Sequence, residues 1–199
     1  MLLEPFKRPK CRHLRFDFAT EAWEKREYWK LRKAIFCDEQ KIFNGTDRDI
    51  IDENAIPIIS KNACMGMEDQ VVGIVRIDER EPGVWWGSRL GVAQEYRTTS
   101  RYNAYHLFPK NETVNPFTLS VGASLIYKAV STAHAIGCHK FLAFVQEQNV
   151  KFFSRLHWDS LEVVNLHGRI HHKMEADLNF YAPSIYAHER HANNHQIVA

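Results

Sequence analysis

A strand–helix–strand succession in the second half of the chain constrains the fold more than any other feature. The run VWWGSRLGV (Val84–Val92) is rich in β-forming residues, and KFLAFV (Lys140–Val145) is fully apolar, as in a strand buried on both faces. Between them, VGASLIYKAVSTAHAIG (Val121–Gly137) repeats apolar residues at helical spacing and ends on a glycine that favours a helix stop. Such a crossover is right-handed and makes its two strands parallel.

The chain before this unit predicts a strand, a helix and antiparallel strands. HLRFDF (His13–Phe18) alternates apolar and polar residues, and Thr20 offers an N-cap for a helix that ends near Phe36. The residues expected to share its apolar face are Trp23, Leu31, Ala34 and Ile35. Turn-prone segments, of which Lys61–Gln70 is the longest, separate three β-rich runs at Ala55–Ser60, Val71–Asp78 and Val84–Val92.

The elements after Val145 complete an α/β domain. NVKFFSRLHW (Asn149–Trp158) predicts a short helix, and two strands follow around a turn at His167 and Gly168. A mixed, mostly antiparallel sheet with one parallel pair and helices on both faces is therefore expected. We assign residues 1–180 to a single domain with an insertion at about 98–120, and residues 181–199 to a C-terminal tail that contributes little to the core.

Composition narrows the classes of function. The chain has 199 residues, of which 45% are hydrophobic and 25% charged, and no apolar run approaches the roughly 20 residues that span a bilayer. No membrane association is expected, and without a secretory signal pattern we expect a cytoplasmic location. The formal charge of +2, with bases and acids interleaved, does not indicate nucleic-acid binding.

Cysteine and histidine spacing does not predict a metal site. The four cysteines form no Cys-x-x-Cys pair, so reduced structural thiols are expected at Cys11, Cys37, Cys64 and Cys138. The tail carries His188, His191 and His195 at spacings of three and four, but no carboxylate or thiolate stands at a convincing distance from them. No metal cofactor is expected.

The start of the central helix, SVGASL, has the small residues that let an anion approach a helix N-terminus. The first N–H groups of a helix lack intrahelical partners, and its dipole favours negative charge. Gly122 is the residue that matters most, since it leaves the backbone uncovered. A glycine here is also compatible with a simple cap or a close packing contact.

The segments LGVAQEYR, SVGASL, FLAFVQEQN and FFSRLHW together resemble the coenzyme-A-binding half of the GCN5-related N-acetyltransferases (GNAT). The resemblance implies acetyl-CoA or another acyl-CoA as donor, a pantetheine arm between two splayed parallel strands, and a pyrophosphate at the helix start. Asn149 would hold the pantetheine, or alternatively cap the helix that follows it. The cofactor-binding residues implied are Leu90, Gly91, Val92, Arg97, Val121, Gly122, Ala123, Ser124, Asn149 and Phe153.

Two departures from the GNAT pattern matter. About 22 residues separate Arg97 from Ser120, although the family joins the corresponding segments in one loop, so the backbone at Gly122 is the better candidate for the pyrophosphate. Where many members carry a tyrosine that protonates the leaving thiolate, this chain has Phe153. Tyr127 and Cys138 are alternative proton donors, unless the thiolate leaves unassisted; general acid help is worth about 10²- to 10⁴-fold.

The first half of the chain resembles the acceptor side of the same superfamily. An acidic stretch after the first helix would suit an amine acceptor, and it contains Glu39, Asp47, Asp49, Asp52 and Glu53. As catalytic bases we expect His172 or Glu147, followed by Glu39. The substrate-binding candidates are Asp52, Arg76, Trp86, Arg89 and His171. Each of these also has an ordinary structural interpretation, as a solvated acid, a paired arginine or a hydrogen-bonded histidine.

Two alternatives stay open beside an N-acetyltransferase acting on a small-molecule amine. Acyl-homoserine-lactone synthases, which use acyl carrier protein and S-adenosylmethionine, resemble this chain at Ser88 and Arg89, but Trp86 stands where they carry a glutamate. A non-catalytic acyl-CoA sensor is the other. Over nearly the whole chain the sequence is most similar to N-acetyltransferases of bacterial nitrogen-starvation gene clusters; a homodimer is left open.

Overall fold

The computed structural model describes residues 13–64, 67–99, 103–105 and 119–183. Its helices are α1 (Ala22–Arg32), α2 (Val121–Ala135) and α3 (Val150–Ser154). Its strands are β1 (His13–Phe18), β2 (Ile56–Cys64), β3 (Met67–Glu81), β4 (Val84–Val92), β5 (Asn103–Tyr105), β6 (Lys140–Gln146), β7 (Trp158–Leu166) and β8 (Arg169–Ala176). They form one sheet in the order β5-β1-β2-β3-β4-β6-β8-β7.

The predicted crossover is confirmed, and so is the mixed α/β class. β4 and β6 pair in parallel around α2, whereas β2, β3 and β4 are antiparallel, as are β6, β8 and β7. Two features differ from expectation. β2 and β3 extend through most of Lys61–Gln70, which was assigned to a turn, and β5 adds a second, three-residue parallel pairing beside β1.

The first helix differs from its prediction in its cap and, at Ala34, in its face; Ile35 is buried, and Trp23 and Leu31 pack against the same core cluster, as predicted. Its N-cap is Glu21 rather than Thr20, whose N–H instead donates to Glu24 Oε2 at 2.8 Å. The buried side chains of α1 are Glu24, Tyr28 and Arg32, spaced by four, while the apolar Ala34 is exposed. A π-helical segment, Lys33–Glu39, continues α1, and its wider turn rotates the following side chains away from a regular helical stripe.

Helices cover both faces of the sheet. α2 packs in the larger core cluster with Phe141, Val145 and Met174, and α1 contributes to a second cluster with Ile35 and Ile74 on the opposite face. α2 is buried along almost its whole length, as its apolar spacing predicts. No helix within the described ranges has both the length and the apolarity needed to cross a bilayer.

The core extends past the expected start of the tail. Tyr181, assigned to the tail, is only 1% exposed, and its hydroxyl accepts from Trp158 Nε1 at 3.0 Å and donates to Leu156 O. Its carbonyl is 2.7 Å from His134 Nδ1 on α2. Tyr181, the first residue of the predicted tail, therefore belongs to the core. Residues 184–199 lie outside the described residues.

Candidate active site

The central feature of the site is a gap between the parallel strands β4 and β6. Their pairing covers only four residues of each strand and ends at Gly87 and Ala143. Just beyond, β4 has a bulge against β3, since Arg76 faces Ser88 but Ile74 faces Gly91. Arg89, inside the bulge, has a φ of +55°, in the left-handed region that non-glycine residues rarely adopt. The bulge bends β4 away from β6 and opens the gap.

The second half of β4 is bonded on one edge only. Gly91 and Val92 pair with Ile74 and Gly73 of β3, but no residue of β6 pairs with the segment Leu90–Val92. Backbone groups along this edge therefore face the gap and have no strand partner there. They are placed to bond an extended ligand in the way an added strand would. Of the predicted cofactor-binding residues, the structure puts Leu90, Gly91 and Val92 on this wall.

The first turn of α2 lies next to the end of β4. Ser120 is the N-cap, and its Oγ accepts from Ala123 N at 3.2 Å, while Ser124 N donates to Ser120 O. The N–H groups of Val121 and Gly122 come before the first intrahelical bonds. Of the four predicted residues Val121–Ser124, these two therefore have N–H groups that the helix leaves available to a ligand.

Gly122 opens onto a space that a side chain would fill. A Cβ built on it would stand 3.8 Å from Val92 Cγ2, 3.8 Å from Phe152 Cζ and 4.0 Å from Ser120 Oγ, all ordinary contact distances. The glycine is therefore not required by crowding. Its hydrogen leaves room between β4 and α3 directly beside the helix N-terminus, as close approach of a ligand requires.

After β6, Asn149 is exposed whereas Phe153 is buried in the core. Asn149 is exposed at the N-cap position of α3, but its side chain makes no capping hydrogen bond, so the alternative role as a cap finds no support. Phe153 is 7% exposed, and its ring packs edge-on to Trp158 at 5.2 Å between centroids. It belongs to the core, and its half-buried neighbour Phe152 is the ring beside Gly122.

Arg97 and Glu39, predicted for different roles, bind each other. The two terminal nitrogens of Arg97 donate to the Glu39 carboxylate at 2.7 and 2.6 Å, and Nε donates to Val92 O at 2.9 Å. This hydrogen-bonded pair lowers the pKa of Glu39 and raises that of Arg97. A carboxylate held by a guanidinium is a weaker base, so the geometry does not favour Glu39 for that role. Both roles stay predictions.

Three arginines and three aspartates form a buried charged cluster beside the gap. Arg32 of α1, Arg76 of β3 and Arg89 of β4 interleave with Asp47, Asp49 and Asp52 of the loop after the π-helical segment, and we call these six residues the Arg–Asp cluster. Arg32 binds Asp47 Oδ2 at 2.7 Å and Asp52 Oδ1 at 2.5 Å. Arg76 donates to both oxygens of Asp49 and to Asp52 Oδ1 at 2.6 to 2.8 Å.

The Arg–Asp cluster stabilises the ionised forms of two of its aspartates, Asp49 and Asp52. Burial alone would raise the pKa of Asp52, but hydrogen bonds from Arg32 and Arg76 hold it below its usual value. The hydrogen bond from Arg76 likewise lowers the pKa of Asp49. With three positive and three negative groups the cluster is close to neutral, and Asp49, whose side chain is 33% exposed, has the most accessible of its carboxylates. Glu53, in the same predicted acidic stretch, is exposed outside the cluster.

Sequence reasoning found five members of this cluster but missed Arg32. A single arginine on an amphipathic helix is usually solvated. The available signal was its spacing of four from Tyr28, whose hydroxyl is 3.3 Å from Arg32 Nη1. Tyr28 is in turn four residues from Glu24, so the three side chains share one stripe of the helix.

The adjacent histidines lie on opposite faces of the sheet. His171 alternates with Lys173, whose Nζ is 5.9 Å from the Trp86 ring, so it shares the face of α1 and the Arg–Asp cluster. His172 alternates with Met174 of the core under α2, and its Nδ1 is 2.8 Å from Ser160 Oγ. The structure thus brings His171 and Trp86 to the face of α1 and the Arg–Asp cluster, which we call the acceptor face after its predicted role, and places His172 on the other.

The remaining candidates are dispersed. Glu147 is exposed at the end of β6. Tyr127 and Cys138 are buried in the core, and burial raises the pKa of the Cys138 thiol to about 11, which makes it a poor acid. Cys37 is a buried free thiol. Among the described residues no three histidine, cysteine or acidic side chains are arranged to hold a metal ion; His188, His191 and His195, and most of the predicted insertion, lie outside those residues.

Comparisons with known proteins agree on the fold. No protein-family model matches the chain, and no curated protein matches it. Among solved structures, a Lactobacillus plantarum protein provisionally assigned as an N-acetyltransferase covers 83% of this chain and 99% of its own, at a TM-score of 0.65 and 14% identity. An acyl-CoA N-acyltransferase from Pseudomonas aeruginosa covers 82% of this chain and 98% of its own, at a TM-score of 0.59 and 15% identity.

A third similar structure belongs to another reaction class. BjaI, a CoA-dependent acyl-homoserine lactone synthase solved with SAM and isopentyl-CoA, covers 89% of this chain and 88% of its own, with a TM-score of 0.59 and 12% identity. The identities are too low to assign a reaction. The splayed strands, the helix start beside them and these likenesses together show that the chain has the acyl-CoA N-acyltransferase (GNAT) fold.

Proposed function

We propose that this chain transfers an acyl group directly from acyl-CoA to the amine of a small-molecule acceptor, in the gap between β4 and β6. The observation that carries the proposal is the end of strand pairing at Gly87 and Ala143, with a bulge at Arg89 on one side. A gap of this kind accepts an extended pantetheine arm whose amides bond the edge of β4 at Leu90–Val92, where no strand pairs with it. Similar solved structures include proteins named for acyl-CoA chemistry.

The residues around the gap supply the steps that transfer requires. The N–H groups of Val121 and Gly122 would hold the diphosphate, and Asn149, free of a capping bond, the pantetheine. An N–H on the edge of β4 would polarise the thioester carbonyl, and positioning of donor and acceptor in one gap would supply much of the rate. Phe153 is buried and has no proton to give, so the thiolate leaves without help from that position.

His171 is the base we would test first. It lies on the acceptor face, and its Nδ1 is 2.9 Å from Arg169 O. A carbonyl only accepts, so Nδ1 carries the hydrogen and Nε2 of the neutral ring has the free lone pair that a base needs. His172 and Glu147, the first candidates from sequence, lie on the other face and on an exposed turn, respectively.

Titration of the protein with acetyl-CoA and longer acyl-CoAs tests the proposal, followed by an amine screen that measures release of free thiol. Binding together with amine-dependent thiol release is the expected result. Binding without release for any amine would favour an acyl-CoA sensor. Absence of binding to every acyl-CoA would refute the proposal.

A lactone-synthase-like reaction is the second candidate, and the Arg–Asp cluster favours it. Three arginines and three aspartates lie together beside the gap, and side chains of both charges would suit a zwitterionic amino-acid acceptor such as S-adenosylmethionine. Trp86, in place of the glutamate of those enzymes, argues against the reaction. Thiol release that depends on S-adenosylmethionine, with acyl-CoA or acyl carrier protein as donor, would establish this alternative.

A further inference from the structure

Two aromatic side chains lie beside the end of strand pairing, and we call them the aromatic platform. Trp86 comes directly before Gly87, the last paired residue of β4, and Phe144 directly after Ala143, the last paired residue of β6. Their ring centroids are 5.0 Å apart. Phe144 is 38% exposed, although it is a large apolar residue on an interior strand of the sheet. The aromatic platform therefore borders the gap in which transfer is proposed.

The aromatic platform lies outside the core cluster under α1. That cluster contains Ile59 of β2 with Val71 and Ile74 of β3 and, within the part of the chain that the structure describes, no residue of β6 or β8. The acceptor face is thus open at Phe144. An accessible aromatic surface next to a reaction site is typical of a pocket that binds a flat apolar group.

Arg80 bounds one side of the aromatic platform. Its guanidinium is 4.4 Å from the centroid of the Trp86 ring, and its Nε donates to Asp78 Oδ2 at 2.7 Å. Asp78 is only 4% exposed, so this ion pair is held by the protein and balances its own charge. Arg80 therefore packs against Trp86 and is a poor candidate for binding the anionic group of a ligand.

Lys173 bounds the other side and is available to a ligand. It lies opposite Phe144 in the pairing of β8 with β6, and its Nζ is 5.9 Å from the centroid of the Trp86 ring. Its ion pair with Glu162 is 3.6 Å long, and the Glu162 side chain is 56% exposed, so water and salt screen the attraction. The ammonium group can therefore exchange Glu162 for the carboxylate of a ligand.

Lys173 also lies beside the proposed base. His171 and Lys173 alternate on β8, so both side chains are on the acceptor face, with about 7 Å between their Cα atoms. An α-amino acid carries its amine and its carboxylate on one carbon atom. When its carboxylate binds Lys173, its amine can reach His171 and its side chain can lie on the aromatic platform.

We propose that the acceptor is an α-amino acid with an aromatic side chain, and that Lys173 and Phe144 determine this specificity. Lys173 binds the carboxylate, and the aromatic platform stacks on the ring. The neutral amine attacks the thioester carbon, an amide C–N bond forms, and the C–S bond breaks with its electron pair on sulfur. The proton lost from nitrogen passes to His171 Nε2. The inference rests on the proposed function and names its acceptor class.

Matched pairs of amines test the acceptor class. Phenylalanine, tyrosine and tryptophan have the decarboxylated counterparts phenylethylamine, tyramine and tryptamine, and alanine lacks the ring. In thiol release with an acyl-CoA that binds, kcat/KM for an aromatic amino acid should exceed that for its counterpart about tenfold or more, because the charge-assisted hydrogen bond to Lys173 is absent. Alanine should be slower by about two- to tenfold, the range of an aromatic contact.

Three variants assign these preferences to side chains. Lys173→Gln should lower kcat/KM about tenfold for the aromatic amino acid and leave its decarboxylated counterpart unchanged, a comparison in which the intrinsic reactivity of each amine cancels. Phe144→Leu should lower the preference over alanine about two- to tenfold. Lys140→Gln is the matched control, since it removes a 42% exposed lysine of β6 whose partner is Glu175, and it should change neither preference. Urea unfolding checks that each variant is folded.

The possible failures of the inference and of the proposed function are distinguishable. Turnover of amines without a preference for the aromatic amino acids, or an equal loss for both members of a pair in Lys173→Gln, would refute the acceptor class and leave the proposed function in place. Binding of acyl-CoA without thiol release for any amine would refute both and favour a sensor. Absence of binding to every acyl-CoA would refute the proposed function, and the acceptor class with it.

Discussion

Gly87 of β4 and Ala143 of β6 are the last paired residues of two parallel strands, and the proposed acyl-CoA site lies beyond them. Past this point β4 bends at the bulge of Arg89, while β6 continues to Gln146 against β8. The gap is thus produced by one extra residue in β4. The same bulge directs the Arg89 side chain into the Arg–Asp cluster. The end of strand pairing and the position of Arg89 therefore have the same structural cause.

Gly122→Ala should separate ligand binding from stability. A Cβ fits the space at ordinary contact distances, and alanine is the better helix former, so the free energy of unfolding should stay equal or rise by up to about 1 kcal/mol. The methyl group nevertheless fills the approach to the helix N-terminus, and affinity for acyl-CoA should fall about tenfold or more, equivalent to about 1.4 kcal/mol. Calorimetric titration and urea unfolding measure the two effects.

Gly137→Ala, at the other end of α2, is the matched control. Gly137 has a φ of +97°, which alanine adopts only with strain, although nothing crowds its Cβ position. Stability should fall by about 1 kcal/mol while acyl-CoA affinity is unchanged. Equal affinity for the Gly122→Ala variant and the unmodified chain would show that the ligand does not approach this turn.

Asp52→Asn should be among the most destabilising changes at the site. Asp52 is the acceptor for both Arg32 and Arg76, and Arg32 is fully buried. Arg32 then keeps only Asp47 and Arg76 only Asp49, so the buried cluster carries an unbalanced positive charge, which costs about 3–5 kcal/mol. Urea unfolding measures the loss. Glu53→Gln, an exposed acid one residue later, should change stability by less than about 0.5 kcal/mol; a similar cost for both variants would mean that the cluster is not a stabilising unit.

Acid should weaken the fold through the same cluster. The pKa values of Asp49 and Asp52 are lower in the folded chain than their ordinary values near 3.8, because Arg32 and Arg76 bond the ionised forms. Groups with a depressed folded pKa add stability that is complete above the unfolded pKa and is lost as pH falls through the folded one. The free energy of unfolding should thus decline from about pH 5 downward.

The Asp49→Asn variant isolates one carboxylate of that titration. It should be less stable than the unmodified chain at pH 7. The difference should narrow as pH falls below 3.8, the ordinary pKa of Asp49, because the unfolded chain then binds a proton that the folded chain does not. Urea unfolding at several pH values gives the comparison. A difference that stays constant across this range would show that Asp49 does not titrate with unfolding.

His171→Gln and His172→Gln form a matched pair on opposite faces of β8. If His171 is the base, its replacement should lower kcat/KM about 10²-fold or more for the amine found in the screen, and should flatten the acidic limb of the pH profile. His172→Gln removes the bond to Ser160 but should keep that limb. A flattened limb in the His172 variant alone would reverse the assignment and support the candidate indicated by sequence.

Tyr181→Phe tests the end of the domain. The hydroxyl bonds both Trp158 Nε1 and Leu156 O, and burial raises its pKa. Its removal leaves two buried polar groups unpaired and should cost about 1–3 kcal/mol in thermal or urea unfolding. Phe180→Leu changes a neighbouring ring that is 43% exposed and should cost less. Equal stability of the Tyr181→Phe variant and the unmodified chain would show that the Tyr181 hydroxyl does not stabilise the core, as predicted for a tail residue.

Local sequence patterns determined the elements and the crossover. Alternating apolar and polar residues indicated β1, a continuous apolar run indicated β6, and helical spacing with a terminal glycine indicated α2. These patterns are visible because burial of one face or both faces of an element requires apolar residues at regular intervals. The crossover then required β4 and β6 to be parallel, and small residues at Ser120–Ala123 marked the open helix start. The fold and the donor side of the site are thus largely visible in the residues themselves.

The acceptor side was decided by tertiary structure. Arg32, Asp52 and Arg76 are distant in sequence, and nothing in the local pattern around each distinguishes it from a solvated charge. They pair because α1, the loop and β3 pack closely together. Likewise, sequence could not tell that Arg97 and Glu39 bind each other across 58 positions, or which of two neighbouring histidines lies on the face of the Arg–Asp cluster. Pairing between distant charges depends on where the chain folds back, and the direction of a side chain on β4 depends on a one-residue bulge. Neither the pairing nor the bulge is encoded in a local sequence pattern.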